Sequence, residues 1–303
     1  MMVAKMHQEE VGTSAALVRR LLAEQFSQWA DLPVTPVASA GTDNALYRLG
    51  DELAVRLPRI HWAVGQAQKE QYWLPRLAPA LPRAVPTVLA HGEPGAGYPY
   101  PWGVYRWLDG DNAAESPPAD SVGAAVELAG FLRALQQIDT AGGPRAAEHG
   151  LRGAPLAGRD AATRQAIIAL GETIDVAAAT AVWDEALRAG EWDRSPLWFH
   201  GDLLPGNLLV AGGRLSAVID WNGLGVGDPA CDLVVAWALL AGAGRDAFRA
   251  ALGVDDATWA RGRGHALSQA LIFIPYYLDT NPLGVAYHRR TLDAVVDEYR
   301  GRR

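Results

Sequence analysis

Trp198–Asp232 reads WFHGDLLPGNLLVAGGRLSAVIDWNGLGVGDPACD. Asp202 sits in His-Gly-Asp, Asn207 follows five positions later across a Pro-Gly turn, and Asp220 closes the apolar, strand-like run Leu215 to Ile219. The spacing puts three oxygen-bearing side chains at strand ends and in the loop between them, where hard Mg²⁺ ions and a triphosphate are readily held. Phosphoryl transfer needs positioned phosphates, metal ions to screen their charge and an acceptor hydroxyl aimed in line, and asks little covalent chemistry of the protein. Asp202 is the candidate for binding the acceptor hydroxyl and taking its proton. The amide oxygen of Asn207 and the carboxylate of Asp220 are the candidate Mg²⁺ ligands, with Asp220 bridging metal to the β- and γ-phosphates.

Outward from this segment, the pattern divides the chain. Thr13 to Phe26 has helical apolar spacing with Thr13 or Ser14 as a cap. Ala45 to Leu49 and Leu53 to Leu57 are strand-like runs joined at Gly50-Asp51, a hairpin signal. A helix over Ala63 to Leu77 follows, stopped by Pro82 and Pro86, then strands at Thr87 to Ala90 and Tyr100 to Trp107. Strands around one long helix imply a small N-terminal lobe over 1–105, with a hinge at about 105–110. In the remaining 106–303, helices are expected at Ser121 to Ile138, Asp160 to Glu172, Val176 to Ala189, Pro229 to Ala241, Asp246 to Leu252, Asp256 to Ile274 and Val285 to Arg300. A Gly/Pro-rich segment, Ala141 to Gly158, lies between the first two. The fold class is therefore α+β, with a mostly helical second lobe; no repeat is present.

Composition narrows the function. At 303 residues, half of them apolar, the chain buries a large core and exceeds the usual single domain. Cys231 is the only cysteine, which excludes internal disulfides and cysteine-based zinc sites and fits a reducing, cytoplasmic setting. Glu9 and Glu10 stand where a secretory apolar region belongs, and Leu233 to Gly244 is too short to span a bilayer, so no membrane partner is expected. Net charge is -7; residues 1–105 carry nine Lys/Arg against nine Asp/Glu and 106–303 carry 18 against 25. This field opposes nucleic acid and favours a cationic small molecule. The 11 tryptophans lack an accompanying basic face, and the seven histidines lack ligand spacing.

His200-Gly-Asp-Leu-Leu-Pro-Gly-Asn207 resembles the catalytic loop of the aminoglycoside phosphotransferases, antibiotic kinases with a two-lobed, protein-kinase-like fold. IDWNGLGVGDPACDL, from Ile219, resembles their metal-binding segment. Upstream, GTDNALYRLG, LAVRLPR and KEQYWLPRLAPALPRAVP resemble the family's first hairpin, nucleotide-contacting strand and N-lobe helix. The resemblance implies Asp202 as catalytic base, His200 as a catalytic-loop brace, Asn207 and Asp220 as Mg²⁺ ligands, and ATP or GTP as co-substrate. It further implies nucleotide contacts from Arg56, paired with Glu70, from Thr42 and Asn44 in the first hairpin, and from Tyr105 at the hinge. Arg56 departs from the Lys of many relatives, and an Arg grips phosphate bidentately where a Lys acts as a point charge. The loop Gly41 to Asn44 lacks the glycines of a GxGxxG loop.

Plain structural readings compete at several positions. His200 can be a satisfied core histidine, Glu70 with Lys69 a solvated helix face, and Arg56 an ordinary strand residue. Asp228 before Pro229 reads as a helix cap, and Asp232 as a buried acceptor that steadies the loop. The leading expectation is a kinase acting on an aminoglycoside hydroxyl, with Asp109, Asp111, Glu115 and Asp279 as candidate contacts for a cationic acceptor. The alternatives are a macrolide or endogenous sugar or amino alcohol as acceptor, and an inactive nucleotide-binding scaffold. Sequence leaves the oligomeric state open.

Overall fold

The computed structural model describes residues 10–37, 43–146 and 152–302. Its contacts divide the chain into two compact units, one formed by residues up to Pro79 with Ala84–Asp109, the other by Ala80–Arg83 with Gly110–Arg303.

The first unit is built on a five-stranded antiparallel sheet of β1 (Val34–Pro36), β2 (Asn44–Leu49), β3 (Leu53–Pro58), β4 (Val88–Gly92) and β5 (Trp102–Arg106), in the order β1-β2-β3-β5-β4. Gly50 closes the β2–β3 hairpin at φ 58°, a left-handed conformation that glycine enters without a Cβ penalty, and Leu49 pairs with Leu53 across it. The buried and half-buried positions of β2 alternate, so Ala45, Tyr47 and Leu49 face one side. Helix α1 (Ala15–Gln25), capped by the Ser14 hydroxyl on the Leu17 amide, lays Leu17, Val18, Leu21 and Leu22 on that core with Val55, Leu57, Tyr98 and Trp102. Each fully buried side chain of this size contributes about 1.5–3 kcal/mol. Helix α2 (His61–Leu77) packs on β3 and begins two residues before the sequence signal. Strand β1 was not among the strands expected from the sequence. It forms because it is an edge strand, and its last residue, Pro36, needs no further ladder partner.

The second unit is largely helical: α3 (Ser121–Gln136), α4 (Asp160–Leu170), α5 (Val176–Arg188), α6 (Val235–Ala238), α7 (Gly242–Leu252), α8 (Asp256–Tyr276) and α9 (Pro282–Gly301). Asp120, Asp175 and Asp255 cap α3, α5 and α8 through their carboxylates. Helix α8 is the central element, packed by α4, α5 and α9 and buried along most of its length. Two small sheets complete the unit. Strands β6 (Asp111–Asn112), β8 (Leu208–Ala211) and β9 (Arg214–Val218) form one, in the order β6-β8-β9, and β7 (Leu197–Phe199) pairs with β10 (Gly225–Gly227) in the other. The helix expected over Pro229 to Ala241 is a correction: Pro229–Val234 is a 3-10 turn and only Val235–Ala238 is α-helical. Asp228 caps the Ala230 amide while Asp232 accepts the His200 amide, and the tighter winding suits both. No described helix is long and apolar enough to cross a membrane.

Candidate active site

The segment quoted first folds as a strand, a loop, a hairpin and a turn, and its three oxygen-bearing residues come out at the ends of these pieces. Asp202 lies in the loop after β7; Pro205–Asn207 makes one 3-10 turn that feeds β8; Asp220 follows β9. The Leu208–Val218 pair extends backward through a bond from the Ile219 amide to the Asn207 carbonyl at 2.9 Å, which brings Asp220 beside Asn207. The amide nitrogen of Asn207 donates to the carbonyl of Asp202 at 2.8 Å and to its Oδ2 at 3.0 Å. An amide held by its nitrogen turns its oxygen the other way, where a cation can use it. Asp220 occupies the left-handed region at φ 60°, ψ 69°, an unusual state for a non-glycine residue and one of only two such residues described.

Two buried groups hold this loop. Both carboxylate oxygens of Asp232 accept backbone N–H groups at 2.7 Å, Oδ2 from His200 and Oδ1 from Gly201. Burial pushes the Asp232 carboxyl up to about 7, and the two amide donors only partly oppose that. The His200 ring is fully buried; its Nδ1 accepts the Asp202 amide at 3.2 Å and its Nε2 donates to the Ile219 carbonyl at 3.0 Å. Those partners fix one neutral tautomer. His200 therefore positions Asp202 and ties it to the strand that leads to Asp220. Both ring nitrogens of His200 are engaged by backbone groups. Gly201 at φ 83° allows the chain to pass Gly223, where a Cβ would stand 2.2 Å from a carbonyl oxygen.

The surroundings of Asp202 include residues the sequence did not single out. Arg152 forms an ion pair with Oδ1 of Asp202, their side chains 37% and 27% exposed, and Gln269 of α8 approaches the same oxygen at 3.5 Å. Asn112 of β6 donates to the Gly206 carbonyl at 2.7 Å, bracing the loop from the strand beside β8. These partners lie 50, 67 and 94 residues away in sequence, so no local spacing announces them. Asp228, as expected, is an N-cap; it also pairs with Arg261 at 2.7 Å.

In the first unit, Arg56 of β3 donates to Glu70 of α2 at 2.6 Å, and the Glu70 side chain is fully buried. The solvated-face reading of Glu70 is thereby excluded. Tyr105 of β5 joins the same cluster: Gln71 donates to its hydroxyl at 3.2 Å, and burial with the nearby Glu70 pushes that hydroxyl up to about 12. Asn44 starts β2, with its buried Oδ1 lacking a hydrogen-bond partner among the described residues. Thr42 lies outside the described residues. The proposed acceptor carboxylates Asp109, Asp111, Glu115 and Asp279 are all exposed, Asp111 in β6, Glu115 just beyond it and Asp279 between α8 and α9.

The donor set bears on metal type. Among the described residues no three of His, Cys, Asp and Glu converge as a metal cluster. A carboxylate and an amide oxygen without such a cage suit Mg²⁺, which takes one or two protein oxygens and completes its shell with water and phosphate.

No curated protein matches the chain. Among solved structures it is similar to the GDP and kanamycin complex of APH(2")-IIia, with 18% identity over 94% of this chain and 98% of that chain and a TM-score of 0.72. It is also similar to macrolide 2'-phosphotransferase MphH from Brachybacterium faecium, with 24% identity over 93% and 97% and a TM-score of 0.61. The ADP-bound aminoglycoside phosphotransferase APH(2'')-Ib is a third, with 14% identity over 95% and 99% and a TM-score of 0.58. These likenesses establish the fold that such kinases share. Residues 34–265 match the model of the phosphotransferase enzyme family, APH, and with that span covering most of the sequence and all of the loop from His200 to Asp232, the chain belongs to this family.

Proposed function

We propose that the protein transfers the γ-phosphoryl group of ATP or GTP to a hydroxyl of a small molecule. The observation that carries this reading is the joined geometry of Asp202, Asn207 and Asp220, with one carboxylate fixed by an amide and a second carboxylate presented from a left-handed turn one residue beyond the ladder. Asp202 accepts the proton of the acceptor hydroxyl as the bond to phosphorus forms. Asn207 and Asp220 would hold Mg²⁺, which when bound screens the phosphate charge. Arg56, kept in one rotamer by Glu70, meets phosphate oxygens, with Tyr105, Asn44 and Thr42 as further nucleotide contacts. Asp232 and His200 keep the Asp202 carboxylate at one position, which is where orientation supplies rate.

An aminoglycoside is the first acceptor to test, supported by the acid excess of residues 106–303 and by the kanamycin held in one similar structure. A second reading has its own support. Arg152 already neutralises Asp202, and an aromatic row, Phe273 on His288 at 4.0 Å and on Tyr277 at 4.4 Å, leads to Tyr276, which is 66% exposed. Such a wall favours a less cationic acceptor, a macrolide or a metabolite. Asp202→Ala should lower kcat about 10²–10⁴-fold with nucleotide binding kept; turnover near that of the parent would remove Asp202 from the mechanism. Mg²⁺-dependent nucleotide binding with no product from any acceptor would favour an inactive scaffold.

A further inference from the structure

On the Oδ1 side of Asp202 the second unit gathers cations that the proposed chemistry does not use. Arg152 pairs with Asp202 itself. Arg159, at the start of α4, donates from Nε to the Ser268 hydroxyl at 3.0 Å and has no carboxylate partner among the described residues. Its neighbours are Arg152 and Cys231, and burial followed by the Arg152 charge draws its guanidinium down to about 10. His265, 4% exposed, presents an Nε2 with no hydrogen-bond partner among the described residues. His265, Ser268 and Gln269 lie at i, i+3 and i+4 on α8 and share one face, and Gln269 is the residue that reaches Asp202. Among the described residues, the carboxylates of the 228–232 segment are engaged elsewhere, Asp228 by Arg261 and Asp232 by backbone amides.

A part-buried guanidinium without a carboxylate is poorly compensated, and the buried imidazole nitrogen without a partner adds a cost of its own. An oxyanion seated between them would offset both. We propose that Arg152, Arg159 and the Nε2 of His265 form an oxyanion subsite beside Asp202, and that the acceptor alcohol carries a carboxylate or phosphate group that binds there. The subsite rests on the Arg152–Asp202 and Arg159–Ser268 contacts, the shared face of α8 and the charge interactions among the three groups; its use by an acceptor rests on the alcohol-kinase reading above and refines the less cationic acceptor class. Arg152 is half-exposed, so a ligand can reach it. A planar guanidinium binds carboxylate or phosphate through two parallel N–H groups. His265 is held neutral, down to about 3, by burial and then by Arg159, Arg152 and Arg261, and a neutral imidazole protonated at Nε2 donates to the anion. A polycation would meet the opposite field, with Asp202 already paired.

The test has two arms on the full chain. In the first, sodium sulfate and inorganic phosphate are titrated against sodium chloride at equal ionic strength, and thermal stability is followed. Saturable stabilisation of the parent protein, weakened at least about tenfold in Arg159→Gln and in Arg152→Gln but unchanged in the exposed Arg194→Gln control, supports the subsite. Sulfate and phosphate no better than chloride overturns it. Arg152→Gln keeps the arm readable should Arg159→Gln fail to fold. In the second arm, hydroxy acids and phosphorylated alcohols are compared with their amides or neutral alcohols, alongside aminoglycosides and macrolides. A kcat/KM at least about tenfold higher for the anionic member, lost in Arg152→Gln, supports the acceptor assignment. Turnover confined to cationic or neutral alcohols overturns that assignment and leaves the kinase reading intact. Saturable sulfate binding with no turnover of any alcohol sinks the kinase reading and leaves the subsite standing.

Discussion

Replacing Gly201 by alanine tests how the loop that carries Asp202 is held, because the structure separates two costs that usually come together. The first is conformational: Gly201 sits at φ 83°, a region that penalises an L side chain by about 1–2 kcal/mol. The second is steric. A Cβ on Gly201 would lie 2.2 Å from the Gly223 carbonyl oxygen and 2.7 Å from its carbonyl carbon, both backbone atoms that cannot rotate away. Ordinary contact needs about 3.4 Å or more, so one strand of the crossing must move by about 1 Å. The loop that moves carries the amide hydrogen-bonded to Asp232 and the peptide leading into Asp202. Displacement of that size at a reacting group costs about 10²-fold in rate. Gly212, in the β8–β9 hairpin at φ 57° with no atom within 4 Å of its Cβ position, carries the first cost without the second. Urea unfolding and steady-state kinase assays on both variants therefore give a matched comparison. Gly212→Ala should lose about 1–2 kcal/mol and keep its kcat, whereas Gly201→Ala should lose more stability and about 10²-fold in kcat. Equal effects in the two variants, or a Gly201→Ala enzyme with parental kcat, would refute the claim that the Gly201–Gly223 crossing sets the position of Asp202.

Asp232→Ala removes the acceptor of two buried amides at once. At about 1–3 kcal/mol per stranded donor, a loss of about 2–6 kcal/mol is expected by denaturant titration, with kcat falling alongside it. Glu70→Ala leaves the Arg56 guanidinium, 12% exposed, without its carboxylate; about 3–5 kcal/mol should be lost, and the nucleotide KM should rise. The pH dependence of stability has a sign set by three buried groups. His265 and His288 are drawn down to about 3 and about 4, mainly by burial, so between pH 4 and 6.5 the unfolded chain takes up protons there that the folded chain refuses. Asp232, raised to about 7 by burial, acts oppositely over that window because only the folded chain keeps its proton. Two against one leaves stability rising with pH by about 1.4 kcal/mol per unit from 4 to 6.5. Unfolding curves across that range showing a flat or falling trend would contradict the assignment of these three groups.

The sequence by itself determined the parts of this protein whose causes are local. The Gly50-Asp51 hairpin, the caps at Ser14 and Asp228, the helical periods and the order Asp202, Asn207, Asp220 all depend on residues a few positions apart, so spacing and residue type expose them. The pairing of Arg56 with Glu70 was within reach because strand and helix adjoin in sequence and the family resemblance aligned them. Tertiary structure alone decided the rest. Arg152, Gln269 and Asn112 reach the Asp202–Asn207 loop from distant parts of the chain, and nothing in their own neighbourhoods marks them. The edge strand Val34–Pro36 forms only because β2 offers it a ladder, and the Ile219 carbonyl that the His200 ring meets lies 19 residues away. Periodicity encodes which face of an element is apolar, whereas the identity of the group met across a packed interface is fixed only when the chain closes on itself.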